Sequence, residues 1–488
     1  MPARDSGEFH IVTVGWDHGL VEQLANPISA KCSYRFSHIV HPKYTRQNWP
    51  QNPPQPDIHF FREELEQSMP QPDRSLLASL EQDGVPSVHN MILGDRVVSK
   101  IAYADALGYA TFLTQRLSEL LDEINPTVVI MGFDSIHGSL ALAVAKHMKI
   151  PGYALHFSVI PAGYACFCDR MSPAARVTMR EWSSDVLSSL AEESLRQFEN
   201  RESTAHAYIA PLPLSLPKKI LRLPARLRTI YRTILQSSKN RFTKYTENRN
   251  RYSVSSALQF LRRKDAARKA LSAFDTVSTP PDEPFILFGL HMQPESSIDV
   301  WAPFFSNQKW VVELLSRSIP PTHTLLVKIH KSDVANYSQA DLKQMSAFPG
   351  VQFVVPSADT RSLIERADLL IAIQGTMGLE AALLGKPVIM LGDSPVKKFP
   401  SAASVGGLRE LPSLVRRKLV ESPPTRNDII KAYMEYLSPF FPASDNNWKK
   451  RKDDAQIDGY VGMFDALKAN LHSLAEVPSG CKYSNTSE

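Results

Sequence analysis

The stretch Leu369-Leu-Ile-Ala-Ile-Gln-Gly-Thr-Met-Gly-Leu-Glu-Ala-Ala-Leu-Leu-Gly-Lys-Pro-Val-Ile-Met-Leu391 decides the fold. It holds a continuous apolar run (Leu369–Ile373), a Gly-Thr turn, a helix over Met377–Leu384 and a second apolar run (Lys386–Leu391). Strand, tight turn, helix and strand in that order make a βαβ unit of a parallel sheet. Upstream, Pro284–Phe288, Thr324–Ile329 and Val351–Val355 read as further strands, with helices at Trp310–Ser318 and Thr360–Arg366. Residues 281–422 are therefore expected to form a doubly wound α/β domain.

The same alternation occurs near the N-terminus. Phe9–Gly15 reads as a first strand, and Pro50, Pro53, Pro54 and Pro56 mark a loop. Ala106, Tyr109, Phe112, Leu113, Leu117, Leu120 and Leu121 fall at helical spacing, and Asn125-Pro126 stops that helix. Thr127–Met131 is a strand, Ser139–Met148 a helix and Ile150–Leu155 a strand. Residues 8–175 thus form a second α/β domain. The expected architecture is α/β: two Rossmann-like doubly wound domains with a basic helical insert, 176–280, between them.

That insert carries the unusual charge. Between Lys218 and Lys269 there are sixteen Lys or Arg against Glu247 and Asp265, so 52 residues hold +14 of a chain whose net charge is +5. Ile220, Leu223, Leu227, Ile230, Tyr231 and Ile234 recur among the arginines, as in a basic amphipathic helix. Such a segment suits an anionic membrane surface. A solvated face is the plainer alternative. Nucleic acid is not the expected partner, because few aromatics interleave with the charge. With 43% hydrophobic and 22% charged residues, the 488-residue chain has an ordinary globular composition. No apolar run reaches the length of a membrane span, and the N-terminus does not read as a signal peptide. Cys32, Cys166, Cys168 and Cys481 are too scattered for a disulfide framework, so a cytoplasmic setting is expected, peripheral at the inner membrane face.

In open α/β sheets, ligands bind beyond the carboxyl ends of the strands. After Leu369–Ile373 come Gln374, Gly375 and Thr376, which offer free backbone N–H groups at a helix start to a phosphate. Glu380 lies one turn on, within reach of a ribose hydroxyl. A simple helix start with a favourable acid is the alternative. His330 and Lys331 follow another strand, and Gln293 and Glu295 a third, as donor-binding candidates or as surface turns. In the N-terminal domain, Asp134 and His137 sit in the turn after Thr127–Met131, and Asp17 and His18 follow the first strand. All could serve as acid or base, and Asp134 also fits a helix N-cap. The sequence has no Gly-x-Gly-x-x-Gly, no Walker loop, no Asp-x-Asp and no His-Glu-x-x-His. These absences count against hydride transfer and metal-dependent hydrolysis.

The segments LHMQPESS, LLVKIHKSD and IAIQGTMGLEAALLGKPVIMLGD, with GFDSIHGSLALAVAKHMKIPGY upstream, resemble the bacterial capsular polysaccharide biosynthesis proteins. These are similar to Kdo transferases of the two-domain GT-B arrangement. The resemblance covers about 127–155 and 284–395. It implies a glycosyltransferase that needs neither metal nor cofactor, with a nucleotide-sugar as substrate and a saccharide or lipid-linked acceptor. The family's Gln-Pro pair falls on Gln293 and Pro294, and its donor-site residues on Gly375, Thr376 and Glu380. Where the family carries His-Pro, this chain has His330-Lys331. The resemblance also implies that helices within 423–475 pack back on the first domain, leaving 476–488 as a tail. A sugar-nucleotide epimerase and a non-catalytic carbohydrate- or nucleotide-binding relative are the alternatives.

Overall fold

The computed structural model describes residues 8–16, 18–40, 49, 57–61, 70–82, 85–132, 135–202, 227, 266, 271, 274, 276–293, 295–330, 337–443 and 453–476. The basic stretch 218–269 lies outside them apart from Leu227 and Ala266, and so does the tail from 477 on. The described chain forms two seven-stranded sheets.

The first sheet holds β1 (Phe9–Val14), β2 (Tyr34–Val40), β3 (Ile58–Phe60), β4 (Val128–Met131), β5 (Gly152–Phe157) and β6 (Tyr164–Cys168). The second holds β7 (Thr276–Val277), β8 (Phe285–Gly289), β9 (Thr324–Lys328), β10 (Val351–Val354), β11 (Leu369–Ala372), β12 (Val388–Met390) and β13 (Ala402–Ser404). A last strand, β14 (Phe441–Pro442), returns to the first sheet.

Their orders are β14-β6-β5-β4-β1-β2-β3 and β13-β12-β11-β8-β9-β10-β7. From β3 to β5 the first sheet is parallel; β6 and β14 are antiparallel additions at its edge. The second sheet is parallel throughout. Each is doubly wound, with the order reversing between β1 and β4 and between β8 and β11. All six residues of β1 and all five of β8 are buried, as expected where helices cover both faces.

The helices that matter for the site are α1 (Val88–Gly94), α2 (Tyr103–Ile124), α3 (Ile136–His147), α4 (Ser184–Glu199), α5 (Ser296–Asp299), α6 (Gln308–Ser316), α7 (Thr360–Arg366), α8 (Thr376–Leu383), α9 (Arg426–Leu437) and α10 (Asp454–Glu476). Helix α2 buries Tyr109, Leu113, Leu117, Leu120 and Leu121 on one face and ends at Asn125 in the left-handed region, just before Pro126. Two boundaries differ from the sequence reading. Helix α3 begins three residues earlier, at Ile136, and α6 begins at Gln308, where the Asn307 side chain caps Trp310 N–H. The stretch after β1 also holds more than loop, since β2, β3 and α1 lie there.

Two connections tie the domains. On one side, α4 packs on α9, and Cys166 and Cys168 of β6 share one apolar core with Phe285, Leu370, Tyr433 and Phe440. The Arg176 guanidinium lies 4.2 Å from the Tyr436 ring centre and 4.6 Å from that of Phe440, and donates to the Tyr436 carbonyl at 3.1 Å. The C-terminal carbonyls of α9 are a favourable seat for that cation. The chain then enters β14, and α10 lays Tyr460, Met463, Phe464 and Leu467 on the first sheet beside Phe9 and Ile11. On the other side, α1 touches α5, and the His156 ring at the end of β5 meets Trp301 edge-on at 5.8 Å. The carboxyl ends of the two sheets therefore approach each other across this contact.

Candidate functional site

The second sheet leaves the helix start at its switch point without a side-chain cap. Strand β11 runs out through Ile373 and Gln374 into Gly375, which has φ +90°, and α8 starts at Thr376. Gly375 is the N-cap, so no side chain caps the helix, and the glycine is exposed. The first N–H groups of α8 have no intrahelical acceptor and carry the positive end of the helix dipole. Gln374 is buried and donates its amide to the Asp393 carbonyl, which holds the β11 exit against the β12 exit.

The β8 exit closes the other side. His291 donates Nε2–H to the Gln374 carbonyl at 2.6 Å, directly across the switch point. Burial lowers its pKa to about 4 against the opposing pull of that bond, and the charge of His330 lowers it further. The ring is therefore neutral at pH 7. A Cβ at position 375 would stand 3.1 Å from His291 Nε2. The backbone conformation thus favours glycine there, and the space beside it is tight. His330 is exposed at the end of β9 and acts electrostatically on His291. Gln293 and Glu295 are half-buried on the loop after β8, where Gln293 Nε2 and the Glu295 N–H both bond the Asp299 carboxylate, at 3.0 and 2.9 Å. Glu380, one turn into α8, is half-buried. Burial raises its pKa to about 7, with Arg361 opposing and Asp359 reinforcing the shift. The structure thus brings Gln293, His330, Gln374, Gly375, Thr376 and Glu380 to one end of one sheet. Lys331 lies outside the described residues.

The first sheet treats its switch point differently. Trp16 leaves β1 fully buried, and a Cβ at Gly132 would stand 2.4 Å from its indole Cδ1. The indole fills the space between the β1 and β4 exits. Asp95, 4% exposed, accepts from Val97 and Val98 N–H at 2.9 and 3.0 Å through Oδ1, and from Ile136 N–H at 3.1 Å through Oδ2. An internal carboxylate therefore occupies the start of α3. Nothing local in the sequence marks Asp95 for this role, because its partner is 41 residues away. His137 is 1% exposed, with Nε2 at 2.7 Å from the Tyr109 hydroxyl and Nδ1 at 3.2 Å from Ser135 Oγ. Asp17 and Asp134 lie outside the described residues. His18 pairs with Glu22 at 3.1 Å. Between the sheets a narrow crevice is lined by Asn90, Gly94, Ser135 and Ser139 from one domain and by Asp299 and Val300 from the other.

Residues 216–433 match the family described as capsule polysaccharide biosynthesis protein. The matched stretch is less than half of the chain. No curated protein matches it. Among solved structures it is similar to a KpsC β-Kdo 2,4 transferase of Thermosulfurimonas dismutans, with 12% identity, coverage of 69% of this chain and 87% of that one, and a TM-score of 0.38. A KpsC β-Kdo 2,7 transferase of the same organism gives 11% identity, coverage of 72% and 90%, and a TM-score of 0.33. A UDP-GlcNAc 2-epimerase of Methanocaldococcus jannaschii gives 12%, 87% and 98%, and 0.28. With scores this low, the architecture rests on this chain's own two sheets. The matched stretch includes the β8 exit and the start of α8.

Proposed function

We propose that the protein is a glycosyltransferase of capsule polysaccharide biosynthesis, moving a sugar from a nucleotide-sugar donor to a saccharide or lipid-linked acceptor. The observation that carries this reading is the start of α8 at the β8/β11 switch point, which has no side-chain cap and an exposed glycine, Gly375, as its N-cap. The donor's phosphate takes the free N–H groups and the Thr376 hydroxyl. As the glycosidic bond to the leaving phosphate breaks, negative charge grows where the helix end is fixed, and a preorganised dipole stabilises it without rearrangement. Neutral His291 keeps the β8 exit in place without adding charge. Glu380, near its midpoint at pH 7, can accept from or donate to a ribose hydroxyl. Gln293, Glu295 and His330 border the same end of the sheet, and Lys331 follows His330 in sequence.

The acceptor approaches from the first domain. Its hydroxyl needs a base, a role for Asp134 or Asp17, which follow β4 and β1 in sequence. His137 supports the start of α3 through Tyr109 and Ser135. The basic stretch 218–269 suits the anionic face of the membrane at which a lipid-linked acceptor lies.

A thermal-shift screen against CMP-, UDP-, GDP- and dTDP-sugars tests the donor reading, since bound ligand stabilises the folded state. One nucleotide class is expected to raise Tm in the wild type and to lose that effect in Thr376→Ala. No shift with any class contradicts the reading. Conversion of the donor without an acceptor would instead make the protein an epimerase. Flotation with anionic liposomes tests the membrane contact, and binding independent of lipid charge contradicts it.

A further inference from the structure

Three side-chain hydrogen bonds beside this switch point belong to a residue with no motif. Gln308 is the first residue of α6 and is 2% exposed. Its Oε1 accepts from the His291 N–H at 2.7 Å. Its Nε2 donates to the His291 carbonyl at 3.0 Å and to Gln293 Oε1 at 3.0 Å. One carboxamide thus pairs with both backbone groups of a single residue, as a neighbouring strand would. Both of its N–H hydrogens and its oxygen are used. Flipping the amide would set nitrogen against the His291 N–H and oxygen against two oxygens, so the orientation is fixed by its partners.

The bonds continue outward on both sides. His291 Nε2 reaches the Gln374 carbonyl, one residue before Gly375. Gln293 Nε2 reaches Asp299, whose other oxygen holds the Glu295 N–H. Asp299 ends α5, the helix that touches α1 of the first domain.

We propose that Gln308 is a positioning residue for the donor site: it sets His291 and Gln293 at fixed places relative to the start of α8. The proposal rests on the glycosyltransferase reading of that site. No apolar side chain accepts from and donates to the same backbone residue, and asparagine is one methylene shorter. The loop after β8 is thereby held ready before the donor arrives.

The test compares wild type, Gln308→Leu and Gln308→Glu for binding of CMP, UDP, GDP and dTDP by calorimetry, with Tm as the folding control. For the nucleotide that the wild type binds, Gln308→Leu is expected to weaken affinity about 10- to 100-fold. Gln308→Glu keeps the shape and the acceptor but loses both donors when ionised. Its affinity is expected to fall at neutral pH and to recover partly as the carboxyl protonates, a profile that a folding defect does not produce. Gln293→Ala added to Gln308→Leu is expected to bring little further loss, because both changes break one unit. Folded Gln308 variants that bind within about twofold of wild type would overturn the role, as would losses that multiply with Gln293→Ala. A wild type that binds none of the four nucleotides overturns the donor reading and the role of Gln308 together, whereas unchanged affinity in the variants overturns the role alone.

Discussion

The two switch points of this molecule have the same topology and opposite contents. In the first domain, Trp16 fills the gap between the β1 and β4 exits, and Asp95 takes the leading N–H of α3. In the second, the His291 ring bridges the β8 and β11 exits, and α8 begins on an exposed glycine with no side-chain cap. A helix start whose positive end is already paired with a carboxylate has little left to offer a phosphate. One left unpaired at the mouth of a cleft is a ready anion seat. On the proposed function, the difference favours the second domain as the donor's and the first as the acceptor's.

The comparison can be broken most forcefully at Trp16. Trp16→Ala removes a fully buried indole and is expected to cost about 3–5 kcal/mol of stability, measured by urea unfolding. Nucleotide affinity of the surviving fold should stay unchanged, and a matching loss of affinity would mean that the first switch point also serves the donor. Gly375→Val places a branched side chain where φ is +90° and the His291 ring is close. Nucleotide affinity is expected to fall about 100-fold in calorimetry, with roughly 1–3 kcal/mol of backbone strain seen in unfolding. Asp95→Asn keeps the shape but removes the charge and turns one accepting oxygen into a donor facing an N–H, so a stability loss of about 1–3 kcal/mol is expected with no change in nucleotide affinity.

The smallest effect is pH-dependent. The Glu380 carboxyl is raised from 4.5 to about 7 in the fold, chiefly by burial. Between those values the folded chain holds a proton that the unfolded chain has released, so wild-type stability declines as pH rises through this window. Glu380→Gln removes that decline. The variant's Tm should exceed wild type by a margin that grows from about pH 4.5 to about pH 7 and is constant above. A margin independent of pH would place Glu380 in water.

Much of the fold was legible because parallel strands buried on both faces read as continuous apolar runs. Leu369–Ala372, Thr324–Lys328 and Val128–Met131 are of this kind. Strand β2 was not legible, since Ser37 and His38 interrupt its apolar pattern. The structure pairs them internally, Ser37 with His10 at 2.8 Å and His38 with Thr13 at 2.6 Å, so polar residues occupy a buried strand without unmet hydrogen bonds. The Gly-Thr helix start was legible from its local context, and Glu380 from its spacing. Gln308 was not, because its partners at 291 and 293 lie on another element and Asn307-Gln308 looks only like a helix start. Asp95 was hidden for the same reason. Residues that bind through their own backbone leave a local pattern, whereas residues that position others across the fold leave none.

Hydrogen exchange with and without the nucleotide that stabilises the protein tests the central assignment most directly. The account predicts new protection concentrated in residues 374–380 and 291–293, with exchange at 15–16 and 135–139 unchanged. Protection centred on 135–139, with 374–380 exchanging as before, would contradict it.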